Sequence, residues 1–286
     1  MLVVGCFAKF IMTEIFTVMK WPLIACLLLP GMLVYLGLHI VRREVIFVDL
    51  ALAQVASLGA CVSLLLGHEA ADTQTYIWSF GFTLIGAAIF ALTRMRHHHR
   101  VPQEALIGIT YVVAAAAGIL LLSRTAEGNE QLRRTLIGDV LLVSPHEVLK
   151  TFFIYLGIGA VHFVFRKKFM LISFEPERAE AERMAVRWWD FLFYSLFGLV
   201  VTSFVQIGGV LLVFSYLIVP AVCANLLASR AAALLALGWC VATGASIAGL
   251  YAAYRFDLPT GAAVICMLGA VLLLCGLIAV ARARVK

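Results

Sequence analysis

Nine stretches of roughly twenty apolar residues follow one another along this chain and leave it few ways to fold. They cover about 22–41, 46–66, 76–93, 105–122, 148–165, 188–206, 208–228, 231–254 and 260–281. A helix needs about 20 such residues to cross the hydrocarbon of a bilayer. Inside that hydrocarbon every backbone N–H and C=O must find a partner within the protein, so the spans are helices. The expected fold is all-α: a polytopic membrane helix bundle of about nine transmembrane helices in one domain, residues 1–286. The first twenty residues are themselves fairly apolar, so the count can shift by one, and eight also fits the pattern.

Composition agrees, with 63% hydrophobic and 13% charged residues and a mean hydropathy of +1.02. No soluble domain has that profile. In a soluble chain a net charge of +6 would suggest nucleic acid. Here the placement of Lys and Arg explains it, and no nucleic-acid partner is expected. Basic residues follow the first span (Arg42, Arg43), the third (Arg94, Arg96, Arg100), the fifth (Arg166, Lys167, Lys168) and the seventh (Arg230), and recur at Arg282, Arg284 and Lys286. With Arg178, Arg183 and Arg187, one side carries 15 of the 22 basic residues. The positive-inside rule makes that side cytoplasmic, the N-terminus external and the C-terminus internal. The seven cysteines form no CxxC pair and read as buried thiols rather than a disulfide framework or zinc finger. MLVVGC resembles a lipoprotein cleavage box but lacks a charged n-region and an h-region, so no cleaved signal is expected.

The train of spans is interrupted once, by RKKFMLISFEPERAEAERMAVR (166–187), which holds 10 of the 38 charged residues (22 basic and 16 acidic). Glu175-Pro176-Glu177 opens a helix well, because proline suits the first helical position and acidic side chains suit the positive end of the dipole. Arg183 and Arg187 fall towards its other end, and Ala179, Ala181, Met184 and Ala185 give it a small apolar side. The segment reads either as a solvated cytoplasmic loop or as a docking helix that slots into an ATPase. The chain has no GxxxxGK[ST], so any nucleotide is bound on another subunit.

Two regions are irregular. Thr135–Glu147 (TLIGDVLLVSPHE) is too short to span and reads as a short external or re-entrant helix leading into span five. Pro220, inside span seven, frees a backbone carbonyl and predicts a kink; in a transporter such a kink serves either as a gate or as plain structure.

Several segments together resemble one family, the membrane permeases of binding-protein-dependent ABC importers for zinc, manganese and iron. The resemblance runs from about Trp21 to Ala281. It rests on RREVIFVDLALAQVASLG (42–59), QEALIGITYVVAAAAGILLLS (103–123), LIGDVLLVSPHEVL (136–149), GGVLLVFSYLIVPAVCANLLASR (208–230) and YRFDLPTGAAV (254–264). It implies a vitamin-B12/metal-importer-like ABC permease in a bacterial cytoplasmic membrane, surrounded by lipid. The implied partners are a second permease copy, cytosolic ABC ATPases and an extracytoplasmic metal-binding protein. No cofactor is implied for this chain: ATP binds the partner, and the divalent metal is cargo. Coupling is implied for 166–187, with Phe174, Glu175, Glu177, Arg178, Glu180 and Arg183 as its contacts.

One departure concerns the cargo. Family members usually carry an Asp and a His four residues apart at the start of the second span, a spacing that puts both on one helix face. Aligned on Gly59, this chain has Leu50 and Gln54 at those positions; aligned on Asp49, the His position is Ala53. Asp49 and Gln54 themselves lie about 140° apart, because five residues at ~100° each do not return to one face.

A carboxylate in a membrane costs roughly 2.5–3.5 kcal/mol at the centre and less near the headgroups. Asp49 therefore reads either as a transport group or as a partner of Arg42 or Arg43. Gln54, Ser57 and Cys61 form a polar stripe that serves interhelical hydrogen bonding or lines a pathway. His39 and His162 lie at about the depth of Asp49, and imidazole suits zinc or iron, so the three form an inner relay if they converge. His97-His98-His99 sits in a basic loop, and His68, Glu69 and Asp72 in an external one. Either group reads as a plain polar loop or as a contact for metal or its binding protein. His146-Glu147 is not HExxH, since position 150 is Lys, which leaves an intramembrane metalloprotease unsupported. The expected function is the transmembrane subunit of an ATP-driven divalent-metal importer. The alternative is a self-contained secondary carrier or channel with Asp49 as its ion-linked group.

Overall fold

The computed structural model describes residues 2–69, 72–94, 102–123, 140 and 143–285, with side chains from Met19 onward except at 206 and 285. Ten helices are described: α1 (Leu2–Arg43), α2 (Val48–Leu65), α3 (Thr73–Leu92), α4 (Gln103–Leu122), α5 (Pro145–Val164), α6 (Arg166–Phe174), α7 (Pro176–Ala181), α8 (Val186–Leu227), α9 (Ala231–Phe256) and α10 (Thr260–Val285). Among the described residues nine segments are long and apolar enough to cross a membrane, two of them within α8, at Val186–Val205 and Ile207–Leu227. These agree with the sequence reading to within three residues at either end.

The boundaries follow local chemistry. α1 ends on Arg42 and Arg43, which complement the negative end of its dipole, and Glu44 then turns left-handed (φ 58°). α5 begins with a capping box: the Glu147 N–H donates to the Ser144 side chain, the Ser144 N–H donates to the Glu147 carboxylate, and Pro145 occupies the first turn. Ser144-Pro145 thus opens span five, while the preceding 135–139, 141 and 142 lie outside the described residues. The two spans of α8 are separated at Gly209, whose φ of 72° and ψ of 165° suit only glycine. Helical backbone continues through Pro220, so the break in α8 is at the glycine and not at the proline.

α8 is the hub of the bundle and packs against α1, α2, α3, α9 and α10. Within the spans, 67% of the most apolar window of α1 is buried against 17% for α10, which places α1 inside and α10 at the periphery. Lipid tails are as apolar as leucine, so helix association relies on close packing at small residues rather than on escape from water. Gly37 of α1 shows this: a Cβ there would overlap the carbonyl oxygen of Leu217 on α8. The interior is filled by aromatic side chains, including Phe90, Phe193, Phe197, Phe204 and Tyr216, while Leu120, Leu273 and Leu277 face outward.

Candidate transport site and coupling region

The charged segment forms two helices rather than one. α6 carries Arg166, Lys167 and Lys168 and buries Phe169, Ile172 and Ser173 against the bundle. α7 starts with Pro176 in its first turn and ends at Ala181, six residues short of the expected end at 187. Arg183 sits in a left-handed turn (φ 53°), and Arg187 belongs to the next span. Ala179, fully buried, is the foot of α7, while Glu177, Arg178 and Glu180 are exposed. Arg178 donates to Glu175 (3.1 Å) and Glu182 (3.0 Å), and these bonds hold its guanidinium above its ordinary pKa. Such exposed pairs contribute little stability. The ring of Phe174 meets His39 edge-on at 5.6 Å, and the Arg42 guanidinium lies 5.5 Å from its centre.

The sequence reading allowed Arg42 or Arg43 to neutralise Asp49, but neither does. Arg43 pairs with Asp190 (2.8 Å), and Arg42 reaches the Asn225 side chain at 3.5 Å. Asp49 is buried in the first turn of α2, where no side chain among the described residues hydrogen-bonds its oxygens and only the backbone N–H groups of Asp49 and Leu50 approach them. Glu104, in the first turn of α4, comes within electrostatic reach of it. One Glu104 oxygen accepts from the Phe47 N–H (2.9 Å), while the other is buried without a partner. Gln54 is also buried. Leu50 instead lines an open, apolar groove of about 580 Å³ between α2 and α4, with Phe47, Gly108 and Tyr111. Cys61, one residue of the expected polar stripe, is the nearest neighbour of a Cβ built on Gly118 of α4.

His39 and His162 do converge, but on Tyr35 rather than on Asp49. Their rings meet Tyr35 edge-on at 4.8 and 5.4 Å, and the Tyr35 hydroxyl lies 3.2 Å from His162 Nδ1. His162 stacks on Phe169 of α6 at 4.4 Å. The relay of the two histidines with Asp49 is not formed: among the described residues no group of three His, Cys, Asp or Glu side chains is placed to hold a metal. At the opposite end, Glu69 and Asp72 close a local turn: the Glu69 N–H donates to Asp72 (3.0 Å) and the Thr75 hydroxyl to the Glu69 carbonyl (2.7 Å). His97, His98 and His99 lie outside the described residues. Pro220 is buried in α8 next to α9, where Gly238 approaches its carbonyl.

Asp190 went unread in the sequence. It is wholly buried in the second turn of α8 and takes one arginine on each oxygen, Arg43 from α1 and Arg94 from the end of α3. The available signal was a lone carboxylate just inside an apolar span, which in a membrane implies a partner.

Nine candidate spans among the described residues, with buried carboxylates near one end and an exposed charged element beside them, make this a multi-pass membrane helix bundle. The chain belongs to the ABC 3 transport family, whose profile matches residues 15–279. It is therefore a permease subunit and not an enzyme. It is 32% identical over 197 residues to the manganese transport system membrane protein MntC of Listeria innocua, covering 67% of this chain and 70% of that one. It is 28% identical over 233 residues to the manganese import system permease protein ScaB of Streptococcus gordonii, covering 80% of each. Its fold is similar to that of a chain in the solved structure of PsaBC from Streptococcus pneumoniae in complex with Fab, with a TM-score of 0.77, 24% identity and coverage of 94% and 95%.

Proposed function

We propose that this chain forms the membrane path of an ATP-driven importer of a divalent transition metal, with manganese favoured over zinc and iron. The supporting observation is the family match over nearly the whole chain, together with relatives named for manganese transport. In this reading the arginine-rich end faces the cytoplasm, as the positive-inside rule requires. The exposed α7 with Glu175, Glu177, Arg178, Glu180 and Arg183 receives a separate ATPase that binds and hydrolyses ATP. A second permease copy completes the path, and an extracytoplasmic metal-binding protein delivers the cargo. Pro220 frees a backbone carbonyl in the wall of the path, while the break in α8 lies at Gly209.

Asp49 is the side chain best suited to the cargo. A buried carboxylate with no side-chain partner and only its own first-turn N–H groups nearby is costly unless a proton or a cation compensates it. Hard oxygen donors suit manganese, whereas imidazole suits zinc or iron better. Gln54, buried on the same helix but about 140° round from Asp49, lines the path at a separate position. His39 Nδ1 and His162 Nδ1 are engaged by Ser173 and Tyr35, while His162 Nε2 is buried without a partner among the described residues; both rings lie in the wall that faces α6.

The test is manganese uptake by proteoliposomes holding the permease with its ATPase. ATP-dependent uptake that falls severalfold in Asp49→Asn is expected. Uptake by the permease alone, without ATPase or ATP, would establish the carrier reading instead. Unchanged uptake by the Asn variant would remove Asp49 from the path.

A further inference from the structure

At the basic end of the bundle the charged segment packs on the spans through Phe169, Ile172 and Phe174, and the Ser173 hydroxyl adds a hydrogen-bonded tie to two side chains of α1. Arginine can only donate, so the Arg43 Nε–H gives its hydrogen bond to Ser173 Oγ (2.8 Å). That leaves the Ser173 O–H free to donate to His39 Nδ1, also at 2.8 Å. Ser173 is buried near the end of α6, directly before Phe174 and α7. From Arg43 the connection continues to Asp190 and through it to Arg94. The Arg43 guanidinium also rests 3.9 Å from the centre of the Phe193 ring and lies beside Tyr194. The side chains of Arg43 and Asp190 are only 3% and 0% exposed, so solvent does not weaken this pair.

Two kinds of link of unequal strength result. Separating one arginine from Asp190 leaves a charge buried and uncompensated, so α1, α3 and α8 move together at this end. The Ser173 link is a hydrogen bond to that assembly. Any displacement of α6 and α7 must either carry the assembly with it or leave Arg43 Nε and His39 Nδ1 unpaired in a buried site.

We infer that the Arg43–Asp190–Arg94 cluster, gripped by Ser173, transmits displacement of 166–181 to α1, α3 and α8, and that Ser173, Arg43 and Asp190 are positioning residues for energy coupling. This rests on the reading above that 166–187 meets an ATPase. No metal contact is assigned to any of the four residues.

The experiment measures ATP hydrolysis, manganese uptake and thermal stability in one preparation of the permease–ATPase complex in proteoliposomes. Ser173→Ala is expected to keep assembly and ATP hydrolysis, with a modestly lower melting temperature because Arg43 Nε and His39 Nδ1 lose their partner, while manganese moved per ATP falls by about tenfold, within the range for a residue on a coupling route. Ser173→Thr, which keeps the hydroxyl, is expected to restore the ratio. A wild-type ratio in Ser173→Ala overturns the inference, as does an equal loss in the Ala and Thr variants accompanied by lower stability, which would mean simple packing. If the Ala complex does not assemble, Ser173→Cys, close in volume but a weak acceptor, is expected to show the same fall; an undiminished ratio there overturns the inference. A wild-type complex with no ATP-driven uptake would instead defeat the importer reading on which the inference stands.

Discussion

Gly37 and Gly31 lie less than two turns apart on α1 yet differ completely in what an added methyl group would meet. At Gly37 it would collide with the backbone of Leu217, so α1 and α8 would have to separate. At Gly31 nothing lies within 4 Å. Overpacking a tight interface costs about 1–3 kcal/mol, and a clash with backbone belongs at or above the upper end. An exposed helical Gly→Ala exchange is instead favourable by roughly 0.5–1 kcal/mol. Gly37→Ala is therefore expected to lower the thermal transition in detergent and to shrink the monodisperse fraction, while Gly31→Ala leaves both unchanged or raised. Equal behaviour of the two would mean that the α1–α8 approach is looser than described. Nothing in the sequence separates these glycines, since each stands in an apolar run. What distinguishes them is a partner 180 residues further along the chain.

At the scale of elements, the spans were legible because the bilayer imposes a length and a polarity that a single sequence displays. The start of α7 at Pro176 was legible for a similar reason: proline and acidic residues act locally. Its end was not. Arg183 adopts a left-handed turn that no local signal demanded, and the helical reading ran on to 187. The exposed side chains of α7 carry the proposed contact with the ATPase, while buried Ala179 holds the helix in place. Replacing Glu177 and Arg178 together by Ala is expected to leave the permease inserted and folded, because exposed charges at this position contribute little stability. Recovery of the ATPase in a pull-down is expected to fall severalfold. Unchanged recovery together with normal uptake would remove α7 from the docking surface.

At the scale of the whole molecule, orientation is what remains to be measured. The 15 basic residues on one side predict a cytoplasmic face, and Glu69 and Glu180 sit exposed at opposite ends of the bundle. A membrane-impermeant maleimide is expected to label Glu69→Cys in intact cells and Glu180→Cys only after permeabilisation, over the wild-type background. The reverse pattern would invert the topology and place α7 out of reach of any cytosolic ATPase. Which side chains meet across the bundle was far less legible. Asp49 stands within seven residues of two arginines and pairs with neither, because Arg43 turns towards a carboxylate that arrives 147 residues later.

That separation also bears on how the molecule is made. Arg43 and Arg94 leave the ribosome 147 and 96 residues ahead of the carboxylate that they share. During synthesis these two arginines therefore lack their native carboxylate partner until the sixth span is made. The membrane protein is then closed by a residue translated two-thirds of the way through the message. A nascent chain stalled before Asp190 would present two unmatched cations to the quality-control proteases of the cell.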